Sequence, residues 1–161
     1  MVLAIPYSCR DNNIPVPKIS YGYDKVKNLI KKYESFSETP YPDTDGTMLI
    51  GYGFRNTGLK RITEQQADSM LDEQIRSLDS VIVLRYPNLE RPEQLAFISF
   101  FFNTGINYFS NRKAGIHECM KFGDKDCIRE RLLHYTKAEG KVLRGLIERR
   151  KAEVLLMDEP T

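Results

Sequence analysis

Apolar residues first recur at helical spacing at Val26, Leu29, Ile30 and Tyr33, on one face of a helix that Asp24 can cap. Before it, residues 1–22 hold three prolines, the run DNN and little periodicity, and read as an irregular arm outside the core. The helical period stops at Glu34. From Pro40 to Gly58, Pro42, Gly46, Gly51 and Gly53 punctuate short runs such as TMLIGYGF, which predicts a small antiparallel hairpin or three-stranded sheet. TEQQ, residues 63–66, sets a Thr three places before a Gln in a capping-box pattern, and Ala67, Met70, Leu71, Ile75, Leu78 and Ile82 continue at helical spacing. One long helix ending before Pro87 is expected. Pro92 suits the first position of a helix through EQLAFISFFFN, apolar on nearly every side and so expected at a buried centre. Shorter helices are expected over 113–121 and 124–137, and VLRGLIERRKAEVLL closes the chain with another.

This order of elements predicts an α+β fold, mostly helical. Beyond the arm at 1–22, residues 23–161 form a single domain: a small strand-containing lobe over about 23–62, a connecting helix over about 63–85, and a helical lobe over about 86–161. Two lobes joined by a helix leave a cleft between them.

Composition changes this picture little. With 161 residues, 41% apolar and 29% charged, the chain can bury one core and has no low-complexity tract. A formal charge of +2 suits an anionic polymer such as a bacterial wall but is too small to argue for nucleic acid. The basic clusters KRIT and ERRKAE read as solvated helix ends or faces. No apolar run approaches a membrane span, and no secretory signal starts the chain, so action beyond the membrane would require release by another factor. Cys9, Cys119 and Cys127 are odd in number and lack metal-ligand spacing, which favours reduced thiols over a disulfide framework.

Two carboxylates flanking a cleft are the minimum equipment for cleaving a glycosidic bond: one protonates the leaving oxygen, the other activates water or stabilises positive charge. The acid needs a partly apolar setting and its partner a wetter one. Glu34 beside Tyr33 and Phe36, and Asp43 in a polar turn beside Asp45, fit that division. His117 and His134 have no acidic or cysteine partner at ligand spacing, so no metal, cofactor or imidazole catalysis is expected.

From Tyr33 to Gly53 the chain reads E, eight residues, D, two residues, G, and then IGYG, which resembles the signature of phage-type lysozymes, glycoside hydrolase family 24, the T-even and lambdoid phage endolysins. ITEQQADSML looks like the start of that family's connecting helix, QLAFISFFFNTG like its buried helix and GLIERRKAEVLL like its closing segment, so the resemblance runs in order over about residues 24–156. It implies that Glu34 is the general acid, that Asp43 is the second carboxylate, and that the substrate is the peptidoglycan glycan, cut between N-acetylmuramic acid and N-acetylglucosamine. Family chemistry inverts the anomeric carbon, for which carboxylates roughly 6.5 to 9.5 Å apart are expected. Phe102 and Asn103 match positions lining the family's sugar cleft, and Arg149 or Arg150 can reach Glu34, with at least one of the two expected on a solvated face. A monomer is expected, made in a host cytoplasm and acting on the wall after release by a factor such as a holin.

The sequence departs from the family at two positions. Six residues after the second carboxylate the family usually has a Thr that helps hold the attacking water; here the residue is Leu49, and the His that usually follows GYG is Phe54. Leu49 cannot hydrogen-bond a water. Either other groups hold it, or the protein is a lytic transglycosylase in which the muramyl hydroxyl replaces water and Glu34 acts alone, or it is a catalytically impaired wall binder. Leu49 also reads as an apolar strand residue facing the core of the small lobe.

Overall fold

The computed structural model describes residues 22–43, 45–55, 57–107, 115–138 and 140–158. Most of the predicted arm, with Cys9, lies outside them. In chain order the elements are α1 (Tyr23–Glu34), β1 (Ser37–Pro42), β2 (Met48–Gly51), β3 (Phe54–Arg55), α2 (Glu64–Arg85), α3 (Arg91–Thr104), α4 (Ile116–Phe122), α5 (Lys125–Leu132), β4 (Lys137–Ala138), β5 (Lys141–Val142) and α6 (Arg144–Met157). The fold is α+β and mainly helical, as its order of elements predicts.

Helix α1 begins at Gly22 rather than at Asp24, which lies in the first turn and there complements the positive end of the helix dipole. Gly22 takes the N-cap with φ 86°, against Leu95, whose Cδ1 would lie 2.3 Å from a Cβ at this position. The three strands form an antiparallel sheet in the order β1-β2-β3. Ile50 pairs with Phe54, and both are buried. Leu49 pairs with Tyr41 on one side and Arg55 on the other, and all three are half-buried. Side chains alternate along a strand. Leu49 therefore lies on the face opposite Ile50, so the expectation that it faces the core does not hold.

Helix α2 starts with the capping box read from TEQQ: Gln66 N–H donates to Thr63 Oγ1 at 3.2 Å, and Thr63 N–H to Gln66 Oε1 at 2.9 Å. It turns Ala67, Leu71, Ile75, Leu78 and Ile82 inward. Helix α3 carries Pro92 in its first turn and is buried from Leu95 through Phe101, packing against α1, α2 and α6. At its centre, Phe97, Phe100 and Phe101 meet with ring centroids 5.7 to 6.0 Å apart.

Two expectations fail beyond α3. The helix expected over 124–137 stops at Leu132, because a turn and the β4–β5 hairpin follow, reversing near Gly140 with φ 76°. Cys119 and Cys127 form a disulfide rather than staying reduced: Gly123 and the Asp124 cap fold α5 back on α4 and bring the two Cα atoms to 5.7 Å.

Two outcomes test this packing. Gly123 ends α4 with φ 68°, and a Cβ there would lie 2.5 Å from the Asn88 carbonyl oxygen. Gly123→Ala should therefore destabilise by at least about 1 to 2 kcal/mol in urea unfolding, the cost of the left-handed backbone alone. Tyr23 donates to Asp79 Oδ2 at 2.6 Å, and burial, reinforced by Asp79, pushes the phenol up to about 12. An unfolded tyrosine titrates near 10, so the contribution of Tyr23 to stability is complete below about pH 10 and lost as pH rises towards about 12. Tyr23→Phe should make that alkaline fall in melting temperature shallower.

Candidate active site

Glu34 is the last residue of α1, and Ser35 leaves the helix with φ 57°, a left-handed value uncommon for a non-glycine residue. Such backbone costs about 1 to 3 kcal/mol and persists only where its surroundings enforce it. The residue just before it, Glu34, is held from α6. Arg149 of α6 donates from one terminal nitrogen to Glu34 Oε1, while Oε2 lies toward Gly53, 3.7 Å from where a Cβ would stand. A Cβ at that distance is in ordinary contact, so Gly53 is favoured there by its φ of 87° rather than by space.

Arg149 is held in turn. Its other terminal nitrogen donates to the Ser99 carbonyl at 3.0 Å, and its Nε donates to Glu153 Oε1 at 3.3 Å. Glu153 Oε1 also accepts from Ser99 Oγ at 2.8 Å and from Arg150 at 3.2 Å, and Arg150 Nε lies 3.0 Å from Glu153 Oε2. Arg149, Arg150 and Glu153 are all buried. Burial pushes the Glu153 carboxyl up from its ordinary value, and the guanidinium groups of Arg150 and Arg149 oppose that push. Arg150 also lies over the Phe100 ring at 4.6 Å and donates to Asn103 Oδ1 at 3.0 Å. The expectation of a solvated arginine in ERRKAE is thus overturned twice: both are in the core, because Glu153, three and four residues on, supplies a carboxylate on the same side of the helix.

Asp43 follows β1 directly. Its N–H donates to the Thr47 carbonyl at 2.8 Å, and its carbonyl accepts from Gly46 N–H at 3.0 Å, closing a tight turn. Arg55 of β3 reaches over this turn and donates to Asp43 Oδ2 and, at 3.0 Å, to Asp45 Oδ2. Asp45 also accepts from Thr47 N–H at 2.9 Å. That backbone hydrogen bond, with Arg55 behind it, holds the Asp45 carboxyl far below the usual carboxylate range. The side chains of Glu34 and Asp43 remain 22% and 27% exposed, open enough to meet a substrate although each is held by an arginine. Both carboxylates are near enough to Tyr41 to act on its phenol.

Of the remaining candidates, Phe102 packs at the edge of the core with its ring 6.4 Å from that of Phe54, the residue standing where the family has His. Asn103 is oriented by Arg150, which takes its carbonyl oxygen and leaves its NH2 pointing elsewhere. Leu49 lines a small pocket of about 200 Å³ with Pro40, Met48, Ile50, Thr57, Gly58 and Leu59. His117 pairs through Nδ1 with the Tyr86 hydroxyl at 3.1 Å. Among the described residues no cluster of His, Cys, Asp and Glu is built to hold a metal, and no helix is long and apolar enough to cross a membrane. Sequence reasoning missed Arg55, Tyr41 and Ser99. A pairing signal existed only for Tyr41, two residues before Asp43 and so on the same side of an extended strand.

The buried network sets an energetic expectation. Removing one partner of a buried ion pair typically costs about 3 to 5 kcal/mol, because the charge left behind stays desolvated. Arg149→Met should lose stability on that scale in urea unfolding at neutral pH. A loss below about 1 kcal/mol, as for an exposed pair, would show that the network does not hold α6.

Comparison with known proteins agrees with this architecture. Residues 31–153 match the model of the family described as phage lysozyme. The chain is 26% identical over 140 residues to the SAR-endolysin of Escherichia phage Mu, covering 84% of this chain and 80% of that one. It is 28% identical over 140 residues to the endolysin of Bacillus phage PZA, 83% of this chain but only 54% of that protein, so it spans about half of that relative's length. Among solved structures it resembles the muramidase domain of SpmX from Asticaccaulis excentricus, with a TM-score of 0.74 and 25% identity over 84% of this chain and 96% of that one. The active form of P1 phage endolysin Lyz, with a TM-score of 0.70 and 24% identity over 83% of each chain, shares the fold. With the family match spanning both carboxylates and the arginine that holds Glu34, the chain belongs to the phage lysozyme family and is a glycosidase of the muramidase type.

Proposed function

We propose that this protein cuts the β-1,4 bond between N-acetylmuramic acid and N-acetylglucosamine in bacterial peptidoglycan, with Glu34 as general acid and Asp43 as the carboxylate that receives a proton from the attacking water. The observation that carries this reading is the pair of arginine-held carboxylates: Glu34 fixed through Oε1 by Arg149, and Asp43 fixed through Oδ2 by Arg55. Each is oriented by a rigid donor, yet each keeps part of its surface open, which is what two carboxylates acting from either side of a sugar require.

Glu34 Oε2, the oxygen opposite the one that Arg149 holds, carries the proton to the glycosidic oxygen as the bond to the anomeric carbon breaks. Positive charge then develops on the sugar ring, and the negative charge of Asp43 opposes its cost. Water attacks from the opposite face and gives a proton to Asp43, inverting the anomeric centre. Asn103, aligned by Arg150, and Phe102 at the edge of the core supply polar and apolar contacts to the saccharide. Release by another factor, with action at the wall, belongs to the same proposal.

Glu34→Gln keeps the shape of the side chain but cannot donate the proton. It should lower lysis of purified peptidoglycan by about 10² to 10⁴-fold, with an unfolding transition close to that of the wild type. Asp43→Asn should also lose most of its activity. Wild-type lysis by the Glu34→Gln variant would remove Glu34 from the role of acid.

A further inference from the structure

In the family pattern, a hydroxyl at the position of Leu49 helps hold the attacking water, and leucine supplies none. The sheet register sets a hydroxyl-bearing side chain beside it. Strands β1 and β2 run antiparallel with Tyr41 directly opposite Leu49, and such partners project to the same face with Cβ atoms roughly 4.5 to 5.5 Å apart. That face is the one away from the core, since Ile50 and Phe54 fill the other. Asp43 lies two residues beyond Tyr41 along the same extended segment, and its N–H continues the pairing to the Thr47 carbonyl. On the far side of Leu49, Arg55 occupies the next register position and holds Asp43. Tyr41, Leu49 and Arg55 thus form one row across the sheet beside the second carboxylate.

We propose that the phenol hydroxyl of Tyr41 holds the attacking water against Asp43, in place of the hydroxyl that position 49 lacks. The inference rests on the reading of Glu34 and Asp43 as the reacting pair. The water donates one O–H to Asp43 and the other to the Tyr41 oxygen, which leaves an oxygen lone pair directed at the anomeric carbon. As the new C–O bond forms, the glycosidic C–O bond breaks, Glu34 protonates the departing oxygen and Asp43 takes the proton from the water. Tyr41 neither gains nor loses a proton. Its state suits that role: burial first, and then the charges of Glu34 and Asp43, push the phenol up from its ordinary value, so it stays neutral. The same two charges show that the ring lies within the field of both carboxylates. Leu49 across the strand is apolar and Arg55 is engaged by Asp43 and Asp45, so the Tyr41 hydroxyl is the neutral polar group of that row.

The test is a cycle of four proteins, wild type, Tyr41→Phe, Leu49→Thr and Tyr41→Phe/Leu49→Thr, assayed for kcat and KM on purified peptidoglycan alongside thermal unfolding. Tyr41→Phe, which removes the acceptor, should lower kcat by about ten- to a hundredfold, toward the loss seen when a single aligned hydrogen-bonding group is removed from an active site, with KM and unfolding temperature nearly unchanged. Leu49→Thr should gain less than about twofold in the wild type, because the water is already held, and should restore about tenfold in the Tyr41→Phe background. Wild-type kcat in Tyr41→Phe, or no recovery in the double variant, overturns the proposal. Were Tyr41→Phe too unstable to assay, Leu49→Thr alone decides: a gain of about tenfold or more shows that the water was poorly held and that Tyr41 does not hold it. Full activity in Glu34→Gln or Asp43→Asn would instead defeat the underlying reading, whatever Tyr41 does.

Discussion

The structure depends on a charge network buried where a helical protein would ordinarily place leucines. Arg149 and Arg150 of α6 sit in the core beside α3, and the carboxylates of Glu153 and Glu34, the hydroxyl and carbonyl of Ser99, the amide of Asn103 and the ring of Phe100 make their burial tolerable. Buried ions gain little net stability over apolar residues of similar size, because desolvation offsets most of their attraction. Their value here is orientation. A guanidinium is a rigid planar fork, and Arg149 uses it to tie together α1 at Glu34, α3 at Ser99 and its own helix at Glu153. The last residue of α1 is held by α6, more than a hundred residues away in sequence.

The sheet uses the same device on a smaller scale. Arg55 clamps Asp43 and Asp45 across a turn, so that the second carboxylate is held from the sheet while the first is held from the helices. The sheet is itself pinned to the helices by Tyr52. This tyrosine is buried, and its hydroxyl lies 3.0 Å from Glu64 Oε1 and 3.1 Å from Asp68 Oδ1 on α2, with Lys31 of α1 ion-paired to the same two carboxylates. Two arginines set the directions of the carboxylates, and the Tyr52 cluster sets how the parts carrying them meet. Leucine at position 49 is compatible with this arrangement because the polar work on that face is shared between Tyr41 and Arg55.

Much of the fold was legible in the sequence because it follows from local physics. The capping box at Thr63, the helical spacing from Ala67 to Ile82 and the apolar run from Leu95 to Phe101 each specify an element within one stretch of chain. The candidate carboxylates were legible too, since they fall in a short motif. What escaped was non-local. Arg149 and Arg150 look like surface residues in ERRKAE until α3 is packed against them, and the pairing of Cys119 with Cys127 depends on how Gly123 turns one helix back on the next. The β4–β5 hairpin was hidden because the helical pattern of α5 runs past its real end at Leu132. The spacing of Tyr41 from Asp43 is local, but its place beside Leu49 depends on the register, a relation that a one-residue slip would abolish.

The central claim is that two held carboxylates add water across a glycosidic bond. Its most direct test is digestion of purified peptidoglycan in ¹⁸O-labelled water, with the released muropeptides examined by mass spectrometry. Hydrolysis through Glu34 and Asp43 predicts reducing ends carrying one ¹⁸O for each bond cut. Anhydro-muramyl ends that contain no label would contradict it, since they arise only when the sugar's own hydroxyl takes the place of water.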